Sequence, residues 1–215
     1  MSTLQPDSHT PHGNSLSQGS SLEPTTAGRG IRYPYDTTLA DGTAVCIRPI
    51  RADDKGRLQS MLKRMSLDTR YRRFMSPLPE LSSERLHYLT EIDYSNHYAL
   101  LALVQDQDSS QAIAVGRYIR DPNNPEIAEP AFTVVDAYQG RGLGSLLLQQ
   151  LMARAATQGI ERFCASLLAE NMAMKALFAK HGATFKHEGH STLSAEFAVQ
   201  AQPKRAAAKH ASDRH

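Results

Sequence analysis

Three glycines spaced G-x-G-x-G lie in QGRGLGS, Gln139 to Ser145, between a stretch that reads as a strand ending at Val135 and one that reads as a helix starting near Gly144. Glycines in such a turn let the backbone approach a ligand closely and point successive N–H groups into one concavity. The helix adds its positive dipole end and its free N–H groups, so the turn favours an anion, most simply a pyrophosphate. The spacing then narrows the ligand. A nucleoside-triphosphate loop needs G-x-x-x-x-G-K-[ST], and no lysine follows Gly144. A dinucleotide fingerprint needs G-x-G-x-x-G, and Glu161, about 20 residues on, begins its strand where a ribose-binding acid should end one. A turn that merely connects strand to helix needs no third glycine, and each extra one costs about 0.5–1 kcal/mol in chain entropy.

The flanking sequence predicts a layered α/β fold. TTLADGTAVCIRPI reads as two short strands joined at Asp41-Gly42. Asp53 or Asp54 starts a helix with Leu58, Met61 and Leu62 on its apolar face, and further helices are expected around Leu67 to Met75 and Ser83 to Glu91. YALLALVQ and AIAVGRYIR read as strands separated by the polar DQDSS, and EIAEPAFTVV as a third, bounded by Pro122 and Pro125. After the glycine turn, Leu143, Leu147, Leu151 and Ala155 fall at successive i+4 steps, a helical stripe that runs to about Gln158 and ends at Gly159. ERFCASLLAE is a strand. Asn171 is placed to cap a helix carrying Met174, Leu177 and Phe178 on one face and ending at Gly182. ATFKHEGH and STLSAEFAV close the domain as strands.

Composition sets the limits. The chain has 215 residues, 40% hydrophobic and 21% charged, as expected of a soluble globular protein. Its longest apolar run, Tyr98 to Val104, is far short of the about 20 residues of a membrane span. No secretory signal is visible at the start, and the cytoplasm is the expected compartment. Cys46 and Cys164 both sit in apolar runs and are expected to be buried thiols. Two such residues make neither a zinc cage nor a disulfide framework, and no metal is expected. Residues 1–30 carry Arg29 against Asp7 and Glu23, and 201–215 carry Lys204, Arg205, Lys209 and Arg214 against Asp213. With a total of +2, the stretch 31–200 is neutral and shows no electrostatic footprint for nucleic acid. Residues 1–30 and 201–215 are too poor in bulky apolar residues to offset their ordering entropy and are expected to be disordered tails around a domain at 31–200.

FTVVDAYQGRGLGSLLLQQLM resembles the acetyl-CoA-binding motif of the GCN5-related N-acetyltransferases (GNAT), Q/R-x-x-G-x-G/A preceded by a strand. IRPI-RADD, TRYRRF, EIDY, AEPAFTV and LLAENMAM are similar to the acetyltransferase domain of bacterial protein-lysine acetyltransferases of the Pat type. The resemblance spans about Cys46 to Gly182 and implies a mostly antiparallel mixed sheet flanked by helices on both faces. It implies acetyl-CoA as co-substrate and a primary amine as acceptor, a protein lysine first and a small amine or amino acid second. A non-catalytic acyl-CoA-binding sensor or interaction module is the alternative. Pat-type proteins often carry a nucleotide-sensing or acyl-CoA synthetase domain; the thirty residues before the fold cannot hold one, so regulation of that kind is not expected.

Residue by residue, the resemblance matches Phe132, Thr133 and Val134 to the strand that pairs with the pantetheine arm, with the thioester carbonyl held at Val134. Gly140, Arg141, Gly142, Leu143, Gly144 and Ser145 match the pyrophosphate loop. Asn171 matches an asparagine near the cofactor sulfur and equally suits a plain helix cap. Glu129, in A-E-x-A-F, matches the general base; Glu170 and Asp136 are reserves. From Glu129 to Val134 is about 16 Å in an extended strand, so a bulge or a bridging water is expected. Two positions depart from the pattern. Pro130 stands where the family has an aliphatic residue, and Phe178 stands where many members have a thiolate-protonating tyrosine. Arg70, Arg72 and Arg73 are expected to form a solvated helix face with one arginine paired to an acid, or to place one arginine near the acceptor cleft, orienting a carboxylate.

Overall fold

A computed structural model describes residues 32–74, 80–106 and 109–199. Its sheet is built around β3 (His97–Asp106), which contains the longest apolar run of the chain. That run is uninterrupted because both faces of the strand are covered. Tyr98, Leu100, Ala102 and Val104 enter one core, while Ala99, Leu101 and Leu103 enter a second core on the opposite face. Eight strands lie in the order β1-β2-β3-β4-β5-β6-β8-β7: β1 (Tyr35–Thr38), β2 (Ala44–Pro49), β4 (Ser109–Arg120), β5 (Ile127–Val134), β6 (Arg162–Leu168), β7 (Thr184–His187) and β8 (Thr192–Ala198). Every neighbouring pair is antiparallel except β5 and β6. The fold is the mostly antiparallel mixed sheet that the sequence implied.

The helices divide between the faces. On one side lie α1 (Lys55–Lys63), α2 (Leu67–Phe74) and α3 (Ser83–Thr90), whose Leu58, Met61, Leu62, Leu86 and Leu89 pack with the odd-numbered residues of β3. On the other lie α4 (Leu143–Thr157) and α5 (Met172–Ala179). The i+4 stripe Leu143, Leu147, Leu151 and Ala155 is fully buried there. Gly116 of β4 allows α4 this close approach: a Cβ at that position would stand 3.0 Å from the Phe132 ring and 3.1 Å from the Leu147 Cβ. The way into α1 is fixed by Asp54, which accepts two bonds of 2.7 Å from Arg48 and one from the Arg51 N–H. Burial alone would raise the Asp54 carboxyl, but those donors hold it low.

Several sequence expectations change. The single register shift of the β3–β4 ladder falls at Ile113, where Ile113 and Ala114 both enter the same core, as two residues of a bulge opposing one must. No bulge occurs at Pro130: β4 and β5 pair in straight register from Ala114↔Val134 to Arg120↔Ala128. Cys46 and Cys164 are free and half-buried rather than buried, and burial raises both thiols above their ordinary range. The two proposed tails and the middle of DQDSS lie outside the described residues. Among the described residues no helix is long and apolar enough to cross a membrane.

Candidate active site

The parallel strands β5 and β6 pair only at Ile127↔Arg162 and Ala128↔Phe163. Beyond Ala128 they separate, leaving one edge of β5 open in a wedge that widens toward the C-terminal ends of both strands. Which residues face this edge follows from the alternation of hydrogen bonding along an antiparallel strand. The Val135 N–H donates to Ile113 O and the Asp121 N–H to Ile127 O, so the odd residues of β5 direct their N–H and C=O to β4. The even residues Pro130, Phe132 and Val134 direct theirs into the wedge. Pro130 therefore lacks its donor where β6 has already parted, and no ladder bond is lost. Thr133, grouped with its neighbours by the resemblance, is different. Its backbone groups face Val115 of β4, and its side chain lines the opposite face of the sheet.

At the wide end of the wedge lies the glycine turn. Gly140 and Gly142 adopt left-handed φ of 73° and 89°, and a Cβ on either would meet nothing within 4 Å. Their requirement is conformational: the chain must curl so that the turn delivers Leu143 directly into α4. The first N–H groups of α4, from Leu143, Gly144 and Ser145, have no intrahelical acceptor, and the N-cap Gly142 brings no side chain to cover them. An open concavity of backbone donors at the start of a 15-residue helix suits a pyrophosphate. Arg141 pairs with Asp41 of the β1–β2 turn and lies over the Tyr138 ring at 5.1 Å. Across the wedge, Asn171 follows β6 and caps α5 by accepting from the Met174 N–H at 3.2 Å. It is 7% exposed, and α5 reaches α4 where Leu177 lies against Gly144. Gln139, the first residue of the turn, donates from Nε2 to both Val134 O and Thr69 Oγ1. The Val134 carbonyl is thus occupied, while its N–H faces the wedge.

Glu129 lies on the other face of β5, exposed, with Ala131 and Thr133 on the same side. Its charge acts on Arg73 of α2. Burial and repulsion from Arg85 push the Arg73 guanidinium down, and Glu129 holds it up. Beside them a cavity of about 30 Å³ is lined by Arg73, Phe74, Arg117, Ala131 and Thr133, with apolar walls from α1. Arg117, on β4 opposite Ala131, is 3% exposed. Its Nη1 donates to Leu89 O at 3.3 Å and lies 2.9 Å from His97 Nε2. Burial, then the charge of Arg117, lowers the His97 pKa to about 4. The imidazole is therefore neutral, accepts at Nε2 and carries its proton on Nδ1.

The three basic residues of TRYRRF have different surroundings, and Arg70 donates from Nε to Met65 O at 3.2 Å. Arg72 pairs with Asp68 on the solvent side of α2, and Arg73 lines the cavity. The reserve base Asp136 accepts from Ser66 N–H, Ser66 Oγ and Thr69 Oγ1, and so anchors α2 to the end of β5. Glu170 is exposed in the turn before α5. Phe178 is fully buried against Phe132 and Phe197, where it has no proton to donate. Arg117 and His97 were not found as a pair from the sequence, because 20 residues and a strand register separate them.

A family model described as the acetyltransferase (GNAT) family matches residues 64–183. The chain is 34% identical over 166 residues to the acetyltransferase Pat of Mycolicibacterium smegmatis, covering 77% of this chain and 49% of that protein. It thus spans about half the length of that relative. It is also 34% identical over 140 residues to the acetyltransferase PA5475 of Pseudomonas aeruginosa, covering 65% of this chain and 75% of the other. Among solved structures, the GNAT domain of S. lividans PAT is similar with a TM-score of 0.69 at 35% identity, over 76% of this chain and 96% of that one. The family match extends over more than half of the sequence and includes both the open strand edge and the glycine turn; the chain belongs to the GNAT family of acetyltransferases.

Proposed function

We propose that this enzyme transfers the acetyl group of acetyl-CoA to the side-chain amine of a protein lysine, with a small amine or amino acid as the second acceptor class. The observation that carries this reading is the division of β5. Its even residues hold an open backbone edge toward the wedge, and its odd residues hold Glu129 beside a cavity on the other face. The similarity to Pat supports a protein acceptor.

In this reading the pyrophosphate lies against the donors of Gly140, Arg141, Gly142, Leu143, Gly144 and Ser145. The pantetheine arm lies along the edge at Phe132 and Val134, with Asn171 across the wedge. The Val134 N–H faces the thioester carbonyl and stabilises the charge that grows on its oxygen. The acceptor amine forms the new C–N bond as the C–S bond breaks. A lysine amine has an ordinary pKa near 10.4, so it must lose a proton to react at neutral pH. Glu129 receives that proton through water, because the straight strand leaves about 16 Å between Glu129 and Val134. With Phe178 buried, CoA leaves as the thiolate or is protonated by water.

Replacing Glu129 by Gln tests the assignment. Turnover at neutral pH should fall by roughly 10²–10⁴-fold, the range for loss of a general base, while acetyl-CoA affinity is kept. Unchanged turnover between pH 6 and 9 would remove Glu129 from the mechanism. A wild-type chain that binds acetyl-CoA but acetylates none of a panel of lysine peptides and small amines would instead be a non-catalytic acyl-CoA module.

A further inference from the structure

Three guanidinium groups gather on the face of the sheet that carries Glu129. The guanidinium groups of Arg73 and Arg85 lie over the Phe74 ring at 5.1 and 5.4 Å, and Arg73 shares the cavity with Arg117. Arg73 and Arg117 repel each other. Among the described residues, no carboxylate forms an ion pair with Arg73, Arg85 or Arg117. Glu129 is the one acid whose charge acts on Arg73. Among the described residues, Arg117 makes its two polar contacts through Nη1 alone, to a carbonyl and a neutral imidazole. Its Nε and Nη2 donors remain for something else. A guanidinium kept this deeply buried without a counter-ion is costly, and the cost is relieved when an anion arrives.

Position and size say which anion. Arg117 stands opposite Ala131, between Glu129 and Thr133, each about 7 Å along the strand from Ala131. A ligand held there would lie between the base and the end of β5 where transfer occurs. At about 30 Å³ the cavity is roughly twice the minimum that holds one water, room for one small polar group. A planar carboxylate matches the fork of a guanidinium in two parallel bonds.

We propose that the acceptor carries a carboxylate near its reacting amine, and that Arg117, with Arg73 beside it, binds that carboxylate. This deepens the acceptor reading above and rests on it. The carboxylate comes either from an acidic residue flanking the acceptor lysine in a peptide, or from the α-carboxyl of a free amino acid.

Two matched pairs of acceptors separate these sources, each assayed with the full chain at saturating acetyl-CoA. The first pair is a lysine peptide flanked by glutamate and the same peptide flanked by glutamine. The second is free lysine and lysinamide. The carboxylate member of one pair should have the lower KM by roughly ten- to a hundredfold, the range for hydrogen bonds to a charged group. In Arg117→Met that ratio should collapse toward one, with the thermal shift given by acetyl-CoA showing that the variant is folded. If Arg117→Met does not fold, Arg73→Gln should lower the same ratio. Equal KM values within both pairs in the wild type, or a preference that survives in both variants, would overturn the proposal. Titration calorimetry of the two peptides against the CoA-bound chain separates this idea from the catalytic one. Tighter binding of the glutamate peptide with no transfer would sink the acetyltransferase reading of the acceptor site and leave the carboxylate site standing. Equal binding with equal transfer would do the reverse.

Discussion

The two sides of β5 are built by opposite means. The wedge side is made of backbone: a left-handed glycine turn, the uncapped start of α4, and the N–H groups of Phe132 and Val134. Apart from Asn171 it comes from one contiguous stretch, 132–145. The side on which we place the acceptor is made of side chains: Glu129 from β5, Arg73 and Phe74 from α2, Arg117 from β4 and His97 from β3. A ligand common to a whole family can be held by groups that every residue possesses. A ligand particular to one protein must be recognised by side chains gathered from distant parts of the chain. This division makes the two sides separable by mutation, and it can be broken or sharpened by three changes beyond those already given.

The largest effect concerns His97, which supports the acceptor side from beneath. Arg117 and Tyr88 pack against its ring and the Asp93 carboxylate lies nearby. Above its ordinary pKa of 6.5 the imidazole is neutral in both the folded and unfolded chain and contributes no pH dependence. As the pH falls below 6.5, the unfolded chain takes up a proton that the folded one refuses until about pH 4. Stability is therefore lost on acidification, by about 3 kcal/mol at pH 4 for a shift of this size. In His97→Gln, whose amide oxygen can still accept from Arg117, that part of the acid loss should vanish. Urea unfolding of both proteins at pH 7 and pH 4 measures the difference. Parallel losses in the two would mean that His97 is not held neutral and that Arg117 is satisfied in some other way.

The second change acts on the wedge side. Gly142 has φ 89° with open space around it, so Gly142→Ala meets no clash and pays only for the left-handed backbone, about 1–2 kcal/mol. Either the turn keeps its shape and stability falls by that amount, or it relaxes and acetyl-CoA affinity falls about tenfold. In both cases the KM for the amine should stay where it was. A variant that loses amine recognition while keeping acetyl-CoA affinity would show that the two sides are not independent.

The same contrast explains what was legible in the sequence. The glycine turn, the i+4 stripe of α4 and the Asn171 cap are local patterns, and each occurs where the spacing placed it. The run Tyr98 to Val104 marked a strand, though only the structure shows it to be covered on both faces. What the sequence could not yield was register. The bulge at Ile113, the parting of β5 from β6 after Ala128, and the parity that makes Pro130 harmless all depend on how strands pair, a long-range property. The placement of Arg73 beside Glu129 and of Arg117 beside His97 depends on it too. Pro130 shows the cost of missing register: read alone it suggested a distorted strand, but one hydrogen bond, Val135 N–H to Ile113 O, assigns its absent donor to the open edge.

The smallest effect is the most discriminating, because Asn171 is where a side chain joins the backbone-built wedge. Its Oδ1 caps α5, and in the proposed reading it also contacts acetyl-CoA. The two roles use different atoms. Asn171→Asp keeps an oxygen for the Met174 N–H, and its charge is favoured at a helix N-terminus, but it removes the amide donor. Asn171→Ala removes both and should cost about 1 kcal/mol of stability. If Asn171 is only a cap, the Asp variant should match wild type in both melting temperature and acetyl-CoA affinity. If the amide also donates to acetyl-CoA, the Asp variant should melt like wild type yet bind more weakly, by roughly three- to tenfold for one hydrogen bond. That second result would mean that the wedge is not purely a backbone site, and that a side chain at the start of α5, just past the strand that parts from β5, also holds the ligand.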